Sequence, residues 1–451
     1  MHARIHPTGK PSWRNGVRLG LFALMFFGVL VGERPARAGG PLLVGGPSAV
    51  EGIPFTWDTT TEIGYRTDRG KLGSMDNATA NARVEAMFQV WEQVSTARIG
   101  VTRVGRLPVN VDTVAELNAL SCAANPIVYD QDSTLFAALG FGPSVVGFAG
   151  PCSVGPVGGA NRILGGWAAL NGRFQDGNLA NGELTPREFD AAFIHEFGHL
   201  FGLDHSQINF NCLFLCDADD LEGLPTMFPV LLGPAQKTLA PDDIAWVSRL
   251  YPAVSFRASF GTISGTVLFS DGTTPAQGVN VVARRVDDPG TPEDESRRIV
   301  VSTVSGYLFT GNPGQAVTGT NPGASLLAGG SRDPLFIGTF DLSVPSGNYT
   351  VEVESISAFF VGGSSVGPLD PPLPAPGPNE FWDLGESSTD LTTDSSPVTV
   401  SPGAGVSGID IILNGTGPRF DQFESNARLG LRERVPPWVR KEIPGSLPVA
   451  G

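Results

Sequence analysis

Histidine, cysteine and charge are all in short supply in this chain. Of 451 residues only five are His and four are Cys, and 17% are Asp, Glu, Lys or Arg. So little charge, together with 58 Gly and 37 Pro, disfavours helical bundles. It points to a loop-rich, largely β protein, and the length suggests two or three domains. An apolar content of 41% excludes wholesale disorder. Basic residues are outnumbered 30 to 45. An acidic chain of this kind is a poor nucleic-acid binder. Past the first forty residues, no apolar run reaches the ~20 residues a membrane-crossing helix needs. The cysteines lack the second closely spaced pair that a Cys zinc site requires. An even count suggests disulfides instead, with Cys122–Cys152 and Cys212–Cys216 as the expected pairs.

The start of the chain reads as a secretory leader. Arg4, Lys10, Arg14 and Arg18 precede an apolar stretch at 19–31, and Ala36-Arg37-Ala38 is a small-x-small cleavage site before Gly39. Removal of 1–38 takes away six basic and one acidic residue. The formal charge then moves from −15 to −20, with 24 basic and 44 acidic residues remaining. The mature protein is therefore expected to be secreted: extracellular, on the cell surface or periplasmic. Residues 39–56, rich in Gly and Pro, read as a flexible lead-in.

The scarcity of histidine gives its distribution weight. His2 and His6 fall in the leader, and the other three are His195, His199 and His205. They form H-E-x-x-H-x-x-G-x-x-H. Residues i and i+4 share a helix face, so His195 and His199 can point at one ion. Glu196 follows the first ligand and can hold a water beside the metal. Gly202 allows a positive φ that ends the helix and returns His205 as a third nitrogen ligand. Three protein ligands leave a fourth tetrahedral position open, the pattern of a catalytic zinc. The bland alternative, incidental surface histidines, fits poorly with a chain that uses His almost nowhere else. Thr185-Pro186-Arg187-Glu188 marks the helix start as a capping box with Pro at the first position.

This stretch resembles the metzincin clan, and within it the matrixin-like metalloproteases. Residues 195–206, including Ser206, are similar to their signature, and Thr226-Met227-Phe228-Pro229 is similar to their Met-turn. Residues 239–251 resemble the last matrixin helix. The resemblance covers about 52–252. It implies Zn²⁺ on His195, His199 and His205, Glu196 as general base, and Met227 as a support that does not bind the metal. It implies a protein or peptide substrate, and it places Pro229 at the wall of the substrate pocket. An edge strand at 145–149 would pair with the substrate backbone, putting Phe148 and Ala149 at the pocket. Matrixin-like folds often hold calcium. Asp130, Asp132, Asp176 and Asn178 are the candidate ligands for a structural Ca²⁺, with solvated loops as the competing reading. In matrixins an Asp pair such as Asp242 and Asp243 ties down neighbouring structure; the simpler reading is negative charge at a helix N-terminus. One departure matters: no cysteine lies between Gly39 and Cys122, so the propeptide cysteine switch of animal matrixins is absent. Another is the long stretch 206–226, expected as a Cys212–Cys216-clamped loop beside the cleft that either shapes specificity or merely packs.

The expected fold is an α+β metzincin-type catalytic domain at 57–252, a twisted sheet plus three main helices, followed by an all-β sandwich at 259–416. Strands are expected at 62–67, 98–104, 126–130, 145–149 and 163–170, with an amphipathic helix at 77–95 carrying Val84, Met87, Phe88, Trp91 and Val94. The second region resembles a carboxypeptidase-regulatory-like sandwich. Its strands are expected at 260–269, 278–284, 340–345, 348–353, 398–400 and 406–413. Asp271-Gly272 turns the first strand, Ser346-Gly347 is expected to join 340–345 and 348–353 as a hairpin, and 287–335 and 357–395 are its glycine-rich insertions. The tail, 417–451, has no assigned purpose and no hydrophobic anchor. The functional expectation is a secreted zinc metalloendopeptidase. The alternative is a non-catalytic, zinc-stabilised surface or matrix binding protein, disfavoured because Glu196 is intact.

Overall fold

The computed structural model describes residues 39–309, 327–356 and 377–415; the segment 1–38, expected as a leader, and the tail 417–451 lie outside them. Within these residues the protein is a mixed α/β structure with three sheets, no barrel, and three helices of ten residues or more.

The first sheet comprises β1 (Ile63–Thr67), β2 (Val101–Arg106), β3 (Pro126–Asp130), β4 (Gly147–Val157) and β5 (Ala160–Asn171) in the order β2-β1-β3-β5-β4. All neighbours are parallel except β4, which runs antiparallel to β5 at the sheet edge. The strands alternate between two apolar cores. Ile127, Tyr129, Ala168 and Leu170 join one, while Val128, Trp167 and Ala169 join the other. A period of two on a sheet covered on both faces requires this division.

Helix α1 (Asn77–Glu92) starts at Asp76, whose side chain accepts from Thr79 N. It buries Val84, Met87, Phe88 and Trp91 in the first core. Helix α2 (Pro186–Leu200) begins with the expected capping box: Thr185 N donates to Glu188 Oε2 at 2.8 Å and Glu188 N to Thr185 Oγ1 at 3.3 Å. It buries Phe189, Phe193, Phe197 and Leu200 against α1. Asp190 joins the elements on one side, bound by Arg83 at 2.5 Å and Lys237 at 2.6 Å.

Residues 39–56 are not a flexible lead-in. Leu42 N donates to Gly202 O at 2.7 Å and Asp204 N to Gly40 O at 2.9 Å, so the segment straps the end of α2. Asn161 fastens its far side, accepting from Val50 N and donating to Val50 O and Ile53 O. Val44 and Phe55 are core residues. Composition missed this because the strap's partners lie more than a hundred residues away.

After helix α3 (Pro241–Leu250) the chain builds two further sheets. One contains β7 (Asn280–Arg285), β8 (Val300–Val304), β10 (Gly347–Glu354), β11 (Glu380–Phe381) and β12 (Val398–Val400). The other contains β6 (Phe260–Leu268), β9 (Thr339–Pro345), β13 (Gly405–Ser407) and β14 (Ile411–Ile412). Ile263, Leu342 and Ile411 of one sheet share a core with Val281, Val351 and Val400 of the other. Two expectations are corrected here. First, 340–345 and 348–353 are not a hairpin. β9 pairs with β6 and β10 with β7, so Ser346 links two sheets, as the segment after β6 also does. Facing sheets each bury one apolar face, and a short turn does not decide which partner a strand takes. Second, the region 287–335 is not all insertion, because β8 within it is fully buried beside β7.

The two parts are joined tightly. Ser302 N donates to Asp242 Oδ1 and Trp246 Nε1 to Ser302 O, both at 2.8 Å, which locks α3 onto β8. Arg249 pairs with Asp341, whose other oxygen accepts from Tyr307 Oη. Both disulfides, Cys122–Cys152 and Cys212–Cys216, are formed. Among the described residues no helix is long and apolar enough to cross a membrane.

Candidate metal centre

The last two turns of α2 carry His195 and His199 on one face. Gly202, at φ +81°, reverses the chain, and Leu203 N closes the helix on Gly198 O at 3.0 Å. The freed carbonyls at this end find partners: Leu200 O accepts from Trp57 Nε1 at 2.8 Å and Phe201 O from Tyr251 Oη at 2.6 Å. His205 then returns. The three Nε2 atoms stand 3.1, 3.1 and 3.2 Å apart.

These residues fit a metal ion. Ligands held 2.0–2.1 Å from one ion in tetrahedral directions lie about 3.3 Å from each other. His195 Nδ1 donates to Thr226 O at 2.8 Å and His199 Nδ1 to Leu203 O at 2.9 Å. That tautomer leaves a lone pair on each Nε2, and lone pairs 3.1 Å apart repel unless a cation lies among them. Burial holds all three imidazoles neutral: His195 is pushed down to about 4, His199 to about 3, and His205 well below the usual range. His205 Nδ1 is buried with no hydrogen-bond partner among the described residues. Among the described residues this is the one group of three or more His, Cys, Asp or Glu side chains placed to hold a metal.

The four oxygen donors considered for calcium accept hydrogen bonds within their own turns. Asp130 accepts from Asp132 N and Phe136 N, Asp132 from Thr134 N, Asp176 from Asn178 N and Asn181 Nδ2, and Asn178 from Ala180 N.

Glu196 is buried beside the triad, and burial raises its carboxyl to about 8. A divalent cation nearby would favour the ionised form and reverse that shift. The start of β4 lies against Glu196: a Cβ on Gly147 would fall 2.7 Å from Glu196 Cγ and 3.0 Å from Oε1. Edge strand β4 therefore begins at this carboxyl, and among the described residues it has a partner strand on one side alone. Phe148 is half-buried. Its ring packs on Trp167 at 4.5 Å and on Phe141 at 4.6 Å, and Ala149 packs on the first core. Side chains of β4 alternate between the two cores, so what it offers is its main-chain edge.

Met227 lies beneath α2. A Cβ on Gly198 would fall 2.2 Å from Met227 Sδ and 2.9 Å from Trp91 Cζ2. Asp243 fixes this turn by accepting from Thr226 N at 2.8 Å, Met227 N at 3.0 Å and Ala240 N at 2.8 Å. Gln236 closes the segment after it, accepting from Leu232 N and donating to Val230 O. Pro229 stands half-buried in that segment. Sequence reasoning passed over Gly147, Gly198 and Gln236. The one available signal was Gly198, a glycine inside a helix where Ala would be about 1 kcal/mol better.

No protein-family model matches the chain, and no curated protein is significantly similar to it.

Proposed function

We propose that the protein is a secreted zinc-dependent endopeptidase of the matrixin-like metzincin type, its second region a carboxypeptidase-regulatory-like β-sandwich. The observation that carries this reading is the convergence of three neutral imidazole Nε2 atoms at 3.1–3.2 Å with a buried carboxyl one residue after the first. His195, His199 and His205 would hold the zinc. When bound, zinc supplies Lewis acidity toward a peptide carbonyl and toward water.

The chain's own groups supply the rest. The free edge of β4 orients an extended peptide through main-chain hydrogen bonds, and Gly147 brings that edge against Glu196. The Glu196 carboxylate takes a proton from the attacking water and returns it to the leaving nitrogen. Thr226 O and Leu203 O keep the imidazoles of His195 and His199 oriented. The two disulfides and the leader sequence support a location outside the cytoplasm.

Glu196→Gln tests the reading. The variant should bind one equivalent of zinc yet lose peptide cleavage by roughly 10²–10⁴-fold. Full activity in this variant removes Glu196 from the mechanism. Absence of chelator-sensitive cleavage of casein or gelatin by the zinc-loaded wild type would favour a zinc-stabilised binding protein.

A further inference from the structure

The loop 206–226 leaves the third histidine and returns at the turn carrying Met227, so it borders the metal centre by connectivity. Ser206 N donates to Met227 O at 2.9 Å, which closes the loop at its base. Most of its groups are used in packing. Phe210, Cys212 and Leu213 pack on Leu224 and Phe228, as do Val230 and Leu232 of the segment running out from beneath the metal centre. Asn209 Nδ2 donates to Asp220 O and Arg297 O, both at 3.0 Å. Asp219 pairs with Arg298 at 2.7 Å, and Asp217 pairs with Arg297.

Phe214 and Leu215 stand apart in exposure, although the Phe214 ring meets Phe210 edge-on with centroids 5.9 Å apart. They sit at the tip, inside the Cys212–Cys216 disulfide, 66% and 84% exposed. Two adjacent large apolar side chains are thus presented to solvent by a loop that a disulfide and ion pairs hold still. A fixed pair has little conformational freedom to lose on binding, which favours affinity.

We propose that Phe214 and Leu215 form an accessory subsite that takes an apolar side chain of an extended polypeptide substrate, outside the residues flanking the scissile bond. This rests on the endopeptidase reading. The occupant follows from continuity: the Phe214 ring meets Phe210, Phe210 packs on the Leu224–Phe228 cluster, and Phe228 follows Met227 in the turn beneath the metal centre. Charge argues the same way. Asp217, Asp219, Asp220 and Glu222 outnumber Arg297 and Arg298 around the tip, which disfavours an anionic lipid surface as the partner.

The test uses the zinc-loaded full chain, casein, and three fluorogenic peptides: a short cleavable core, that core extended at both ends with Leu, and that core extended with Ser. F214S/L215S should raise KM about tenfold for the Leu-extended peptide with kcat unchanged. The other two peptides should stay within twofold of wild type. Tenfold corresponds to about 1.4 kcal/mol, well within what burial of one such side chain supplies. F214L/L215M should behave as wild type. No change with any peptide, or equal loss with all three, overturns the subsite while leaving the endopeptidase reading intact. A wild-type dimer that F214S/L215S dissociates also overturns it, since a second copy then covers the tip. Failure of the wild type to cleave the core or casein sinks both readings.

Discussion

Gly198→Ala probes how the metal centre is supported from below. The added methyl would land 2.2 Å from Met227 Sδ, 3.1 Å from Met227 Cε and 2.9 Å from Trp91 Cζ2. Optimal heavy-atom separations are about 3.5–4.0 Å, so one side must give by about 1.5 Å. Trp91 cannot easily do so, being fully buried with its Nε1 donating to Ile194 O at 2.9 Å. Met227 is held at its N by Asp243 and at its O by Ser206 N, so its side chain must repack in a filled core. Helix propensity favours Ala by about 1 kcal/mol, and overpacking costs about 1–3 kcal/mol. The net effect on the metal-free protein runs from near zero to roughly 2 kcal/mol of destabilisation. The larger effect falls on the metal. Thr226 O, which orients His195, belongs to the residue before Met227, and disturbing such a bond costs about 10–100-fold in metal affinity. Competition with a chromophoric zinc chelator measures that affinity, and thermal melts without metal measure the rest. Met227→Ala alone should cost about 2–5 kcal/mol by leaving a cavity. In the double variant the methyl added at Gly198 partly fills that cavity, so the combined cost should be less than the sum of the two. A Gly198→Ala protein with a raised melting temperature and unchanged zinc affinity would refute this account.

Three further outcomes follow from the same contacts. Asp243→Ala strands three buried N–H groups and should cost about 3 kcal/mol or more, read as a lowered urea midpoint together with weakened zinc binding; loss of stability alone would separate the turn from the metal. Gly147→Ala forces the start of β4 off Glu196. Peptide cleavage should fall at least about tenfold while zinc content stays at one equivalent, and wild-type turnover would count against β4 as the substrate-aligning edge. In the second region, burial and neighbouring carboxylates raise Glu380 and Glu386 from 4.5 to about 7. The folded protein keeps protons there that the unfolded chain releases from about pH 4.5 upward. Stability should therefore fall as pH rises through that window and level off above about 7. Urea midpoints from about pH 5 to 8 should slope less in E380Q/E386Q, and equal slopes would show that these carboxyls do not titrate as described.

What could be read from the sequence was local. Thr185 and Glu188 bound α2 three residues apart, Gly202 ends it, and His195 and His199 share a face because a helix repeats every 3.6 residues or so. The apolar stripe of α1 and the strand at 126–130 follow from equally short periods. Such features depend on neighbours in the chain, so spacing encodes them. The tertiary structure decided the rest. It packed residues 39–56 along the end of α2, separated β9 from β10 into different sheets, and laid the half-buried Phe148 against the second core. It brought Gly198 over Met227, Gly147 against Glu196, and Ser302 onto Asp242. Each of these is an approach between segments tens of residues apart or more. Whether a glycine merely loosens a helix or makes room for a distant sulfur depends on what the fold delivers to it, and no period in the sequence records that.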